Sequence, residues 1–312
     1  MNNSVSQKSN IPALLIRLAF LTLCLMLILF MLIHPELTIP EVKRSMVYCG
    51  EVLIPAVLPF LVLSSLLGIT GFELISSSGT LRHLCRYLYR LLGIPAPAFT
   101  VFVLSLVSGP PFGASYAAML YSSGHITKSE AEHTAAISSG VSPAYLILGV
   151  GGGIFGDRRV GIVIWLSQVL TALVFGIVTS HTVRGKCGVT EIQKSAALYS
   201  ALPKSISNAG RSMVTVCASV IFFTAVCVPV SMLLPSLAPY IRPLIELNYG
   251  LYGTALQRWY VGFACGFSGV CMLMQSAGEL SEAGLSPVRL IMCRCVCAVI
   301  CSVVCGVTVS IL

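Results

Sequence analysis

Apolar residues run together over 11–33, 46–69, 134–153, 160–181, 206–234 and 286–312. Each run approaches or exceeds the roughly 20 residues that a helix needs to cross the hydrocarbon core of a bilayer. Two further apolar regions, 96–121 and 254–275, are interrupted in the middle by Gly, Pro or Ser, and each reads as two half-length helices. Between the second run and the first interrupted region, Leu81, Leu84, Leu88 and Leu91 alternate with Arg82, Arg86 and Arg90. That spacing predicts an amphipathic helix with a basic face over 72–93, suited to lying on an anionic leaflet. The pattern predicts an all-α integral membrane protein, a multi-span helical bundle with broken or re-entrant helices.

Composition excludes the soluble alternative. Of 312 residues, 56% are hydrophobic and 10% charged, where a soluble domain carries roughly 25% charged residues. The first run, broken only by Arg17, is longer than the apolar core of a secretory signal and has no small-residue cleavage site after it, so it reads as a retained span. The net charge of +8 sits in short loops between apolar runs. This is the positive-inside pattern and predicts no nucleic-acid partner. If region 96–121 dips in and returns, the Arg82/Arg86/Arg90 segment, the loop with Arg184, Lys186, Lys194 and Lys204, and the Lys8 terminus all share the cytoplasmic side. His34 to Glu41 then lies outside. A re-entrant loop of that kind implies a cavity, because non-helical backbone at membrane depth needs protein or water around it.

Comparison of the chain with itself at an offset of 160 residues aligns Gly50 with Gly210, each opening an apolar helix. It also aligns Ser108-Gly109 with Ser268-Gly269, and Gly124 with Gly284. On the topology above, the helices from Gly50 and Gly210 run in opposite directions, so two inverted repeats are expected, with a site where their broken helices meet. The alternative is chance matching of small residues in a Gly- and Ser-rich chain. The expected division is an N-terminal helix (1–33), a first repeat (34–182) with re-entrant region 96–121, a cytoplasmic basic linker (183–205), and a second repeat (206–312) with broken region 254–275.

Candidate chemistry concentrates at the breaks. Gly109, Pro110, Pro111 and Gly113 cannot all sit in a regular helix, since each proline removes a donor and disturbs the carbonyl four residues back. The freed backbone groups, with Ser108, Ser115 and Tyr116, could coordinate an anion or another ion; the alternative is a packed kink. The partner stretch supplies Ser268, Gly269 and Gln275, and the start of the third run supplies Ser138, Ser139 and Ser142. Arg211 and Arg258 flank the second-half site as candidate charge partners for an anionic solute. Arg294 and the remaining charges near span ends are expected to snorkel. Glu130 and His133 read as a solvated helix start capped by Thr127 or Ser129. Cys297, Cys301 and Cys305 share one helical face, but no His or carboxylate accompanies them, so no metal site is expected. Neither a catalytic constellation nor a cofactor motif is present, so the chain is expected not to be an enzyme and to need no cofactor.

The stretches VLPFLVLS (57–64), SGPPFGA (108–114), GHITKSEAE (124–132) and FGDRRVG (155–161) resemble the YlbJ type of sporulation integral membrane protein, of the nucleoside-recognition or Gate domain class. The resemblance runs from about residue 30 to the C terminus. It implies a role in endospore formation and transport of a small polar or anionic solute, dipicolinate-like or nucleoside-like, across a bacterial cell or forespore membrane. Family members commonly carry SGYPxGA and an Asn-rich NNPGP-like segment where this chain has SGPPFGA and SSGVSP, which replaces amides by hydroxyls. Besides the solute and the bilayer, a coupling ion and either a second copy or a sporulation membrane partner are the companions considered. The rival expectation is a non-transporting membrane assembly protein.

Overall fold

A computed structural model of the chain describes residues 11–77, 79–183, 198–251 and 256–308. Among these residues all regular structure is helical. Five stretches are long and apolar enough to cross a membrane: Pro35–Leu67, Arg158–Thr182, Ala201–Leu233, Arg258–Glu282 and Val288–Val307. The protein is therefore a multi-span helical membrane bundle. Helices α1 (Ile11–Ile33), α2 (Pro35–Tyr48) and α3 (Ile54–Ser77) open the chain, with a short π-helical turn joining the last two. The helix thus begins within the polar stretch that starts at His34, earlier than the apolar run 46–69. Pro35 at its first position costs no hydrogen bond there.

Helix α4 (Gly79–Leu92) leads into α5 (Ala96–Ser108) and α6 (Pro110–Ser122). The side chains of Leu81, Arg82, Leu84 and Arg86 lie outside the described residues, as do Lys8, Arg184, Lys186 and Lys194. After a turn at Gly124 comes α7 (Lys128–Ile137), capped by Thr127 and Glu130 in a reciprocal box. The third apolar run is not one helix. It breaks over 138–142 and resumes as a π-helical segment, Tyr145–Ile154, before α8 (Arg158–Thr179). The second half holds α9 (Leu198–Leu233), the short α10 (Ala238–Ile245) and α11 (Leu247–Gly250), then α12 (Arg258–Phe267), α13 (Gly269–Glu282) and α14 (Val288–Thr308).

Contacts define two ends of the bundle. At one, the corners after Gly124 and Gly284 meet. Lys128 donates to Gly284 O at 2.8 Å, Ser286 N to Glu132 at 2.9 Å, and Arg289 to Ser129 O at 3.4 Å. From this corner end α14 runs to the far end, where Trp259 packs on Gly306. Helix α12 lies antiparallel to it. A methyl on Gly262 would sit 2.6 Å from Cys305 Cβ, and one on Gly266 2.6 Å from Ala298 Cα. The cysteine ladder is this seam: Cys297, Cys301 and Cys305 are buried while Val296, Val299 and Val303 face outward. Small residues on a close helix pair are how membrane helices gain packing contact.

Region 96–121 enters and leaves from one end. Its start adjoins Gly93, which packs on His133 and Ser180 near the corner end of α8. At its middle Leu106 O accepts from Trp165, one residue from Ile164, whose carbonyl lies beside Cys301 of α14. Its close is the corner at Gly124. Helices α5 and α6 therefore form a re-entrant hairpin, whereas α12 and α13 together cross the bundle. Helix α3 and the turn before it lie antiparallel to α9, with Cys49 beside Cys217 and Val57 across a cavity from Ser212. The helices opening at Gly50 and Gly210 thus run in opposite directions. Helices α6 and α13, by contrast, pack side by side in the same direction, with Ala117 and Leu280 in one buried cluster.

Candidate functional site

The re-entrant hairpin turns at Gly109, whose φ of +94° belongs to the left-handed half of the map that glycine alone enters cheaply. Pro110 and Pro111 follow as the first residues of α6. A helix normally leaves its first N–H groups free, and two prolines delete two of these donors. The turn therefore presents hydroxyl and carbonyl groups more than an anion-binding crown of amides. The hydroxyls of Ser108 and Ser64 are hydrogen-bonded, tying the tip to α3.

The second break lies at Ser268-Gly269, with φ of 73° and 72°. The sequence shows no proline here, and the chain breaks the crossing segment by placing a serine in the left-handed region. The exposed carbonyl end of α12 is met by a buried cation: Arg294, 2% exposed, donates to Gly266 O and, at 3.2 Å, to Gln168 Oε1. Gln168 also accepts from Val141 N at 2.9 Å and donates to Cys265 O at 3.3 Å. One glutamine thereby joins the 138–142 break to the 268 break. The expectation that Arg294 snorkels from a span end is corrected: it points inward, and a cation stabilises a helix C terminus. Glu130 and His133 are also buried, not solvated; His133 bonds Leu92 O at 2.7 Å.

A cavity of ≈ 40 Å³ lies between these elements, room for about three waters. Of the residues named from sequence, Ser108, Gly109, Pro110, Pro111, Ser142 and Gln275 line it, joined by Val57, Tyr145, Ser212, Asn248 and Met272. No charged side chain lines it. Gly113, Ser115, Tyr116, Ser138, Ser139, Ser268 and Gly269 are not in its wall. Tyr116 donates to Ser65 Oγ at 3.0 Å and stacks on Phe112. Ser139 donates to Ala136 O. Gly113 lets α6 approach the 138–142 segment, since a methyl there would lie 2.6 Å from Ser138 Cβ. Gly269 packs on Leu247. Arg211 and Arg258 are exposed and do not reach the cavity; the helical turn at α9 offers it Ser212 instead.

Sequence reading missed Asn248 and its neighbour Glu246. They occupy the tip of the α10–α11 hairpin, in a short polar stretch without periodicity. Gly250 folds that hairpin tightly against Arg242, and Tyr145 donates to Leu247 O at 3.1 Å. Glu246, 1% exposed, accepts from Asn248 N at 3.0 Å, Asn248 Nδ2 at 3.1 Å and Tyr249 N at 2.6 Å. A carboxylate only accepts, so this contact orients the amide and leaves Asn248 Oδ1 as an acceptor without a partner. Gln275 Oε1 is likewise buried without a partner. Beyond the tip lies a second, ≈ 190 Å³ cavity at the far end, walled by Glu41, Arg44, Thr224, Arg242, Glu246 and Tyr249. Burial pushes the Glu246 carboxyl above its ordinary value of 4.5, against hydrogen bonds that pull it down.

The chain is similar to the sporulation integral membrane protein YlbJ of Bacillus subtilis, with 30% identity over 144 residues. The match covers 46% of this chain and 34% of the relative, so the chain spans about a third of the length of the curated relative it matches. This is a membrane protein related to a sporulation protein. No family model matches the chain, and no solved structure matches it.

Proposed function

We propose that the protein is a membrane permease for a small polar solute, working through the cavity between the broken segments. One observation carries this reading: the backbone breaks at 109 and 138–142 and the hairpin tip at 248 line one small, mostly apolar void, whose wall includes Asn248 and Gln275, each with a buried side-chain oxygen that has no partner. Unpaired buried acceptors cost about 1–3 kcal/mol each, and a protein retains such groups where a ligand or water completes them. In a bilayer, irregular backbone around a wet cavity is the architecture of a solute site. In this reading the corner end is cytoplasmic, following the expectation from sequence that the basic segments around 82–90 and 184–204 share one side. With α1 taken as crossing, this reading has the N terminus in the cytoplasm as well.

The similarity to a sporulation protein supports a role in endospore formation, in the cell or forespore membrane, and the mechanism proposed is by analogy with the Gate class that the sequence resembles. The protein performs no catalysis in this reading. The test is flux of labelled dipicolinate and uridine into proteoliposomes. Wild-type flux of one probe, abolished by Asn248→Ala and Ser108→Ala in protein that keeps its unfolding temperature, supports the reading. Absence of wild-type flux for both probes, together with specific crosslinking to another membrane protein, replaces it by a role in membrane assembly.

A further inference from the structure

The α10–α11 tip separates the far-end vestibule from the central cavity. Glu246 faces the vestibule and Asn248, two residues on, faces the cavity. We propose that Glu246 is a proton-binding site that latches the hairpin tip: its ionised form holds Asn248 toward the cavity, and its protonated form releases Asn248 and opens the vestibule to the cavity. The inference rests on the permease reading of this cavity and names a proton as its coupling ion.

Geometry carries the argument. Ionised Glu246 has acceptor sites for all three donors, Asn248 N, Asn248 Nδ2 and Tyr249 N. A proton from vestibule water converts one oxygen to a hydroxyl, which donates and gives up part of that acceptor capacity. The amide of Asn248 is then free to turn, and with it the oxygen that faces a solute. The charged groups around Glu246 do not neutralise it. From α2 come Glu41 and Arg44, paired with each other at 2.9 Å. Arg242 of α10 donates through Nε to Ser231 at 2.7 Å, and Tyr249 of α11 donates to Glu41 at 3.1 Å. Cys227 of α9 and Cys271 of α13 face it as thiols, and Cys49 and Tyr145 complete the surroundings. Among the described residues no cation lies within ion-pair distance of Glu246. Its burial favours the neutral form.

The test uses the full chain in liposomes, and its spectroscopic and exchange arms need no solute. Infrared difference spectra between acid and alkaline buffer report buried carboxyl protonation. Hydrogen exchange, corrected for intrinsic rates, reports the amides of 244–251. A carboxyl band that titrates above the ordinary value of 4.5 and disappears in Glu246→Gln is expected. Protection of 244–251 should fall as that band appears, and should be low at every pH in Glu246→Gln. Glu246→Asp should restore a titrating band. A band unchanged in Glu246→Gln, or protection that ignores the titration, overturns the proposal. Wild-type flux that ignores an imposed pH gradient also overturns it. Absent flux with an intact titration removes the permease reading alone and leaves the proton-operated latch supported.

Discussion

Gly113 and Gln168 show how single residues hold the breaks together. Gly113→Leu would drive a side chain into Ser138, and overpacking of this kind costs about 1–3 kcal/mol; its thermal unfolding in detergent should fall accordingly. Gln168→Leu keeps the volume but orphans Val141 N and removes one contact each from Cys265 O and Arg294, a loss of roughly 2–3 kcal/mol by the same measurement. Glu246 predicts a pH dependence. Its folded pKa is raised, so the folded chain binds more protons than the unfolded chain between 4.5 and the raised value. Stability therefore falls as pH rises through that window and stays lower above it. Glu246→Gln should flatten the slope. Residue-scale legibility followed chemistry that forbids helix: Gly109, Pro110 and Pro111 were readable because prolines and a left-handed glycine leave no alternative. Arg294 was not, because its partners Gly266 and Gln168 lie 28 and 126 residues away; Asn248 was not, because it is held by Glu246 two residues before it in a short polar stretch that carries no periodic signal.

At the scale of elements, breaks and corners obey different rules. Gly109 and Gly269 are left-handed at close-packed breaks, whereas Gly124 and Gly284 are left-handed at open corners, with nothing within 4 Å of an added methyl. Gly109→Ala should cost about 1–3 kcal/mol from backbone strain and also disturb the cavity. Gly210, helical and open, should gain about 0.5–1 kcal/mol on replacement by alanine; paired unfolding midpoints check both. The apolar runs 46–69, 160–181, 206–234 and 286–312 were legible as spans, whereas the runs 11–33 and 134–153 give only shorter apolar helices, Arg17–Ile33 and Tyr145–Ile154. The break at 138–142 was signalled only by Gly140 and by Pro143, which biases Ser142 away from helix; the Val141 N–H it frees is taken by Gln168 from across the bundle.

The whole molecule sorts its elements by end. Helices α3 and α9 run oppositely, as the offset of 160 residues predicted for the helices from Gly50 and Gly210. The later elements do not follow that relation, because the corners after Gly124 and Gly284 are held together by Lys128, Glu132 and Arg289. An offset in sequence reports matching local structure, and tertiary contacts decide orientation. The multi-span class and the re-entrant hairpin were legible because hydrocarbon leaves few ways to satisfy a backbone. The far-end vestibule was not, since its wall is assembled from four separate helices. Most of this architecture depends on a chain that enters at Ala96 and returns at Ser122 without crossing. Single cysteines at positions 95, 124 and 157, in a background without the native cysteines, measure this with a membrane-impermeant thiol reagent. Labelling of 95 and 124 from one compartment and 157 from the other is the predicted result; 95 and 124 labelled from opposite compartments would contradict the account.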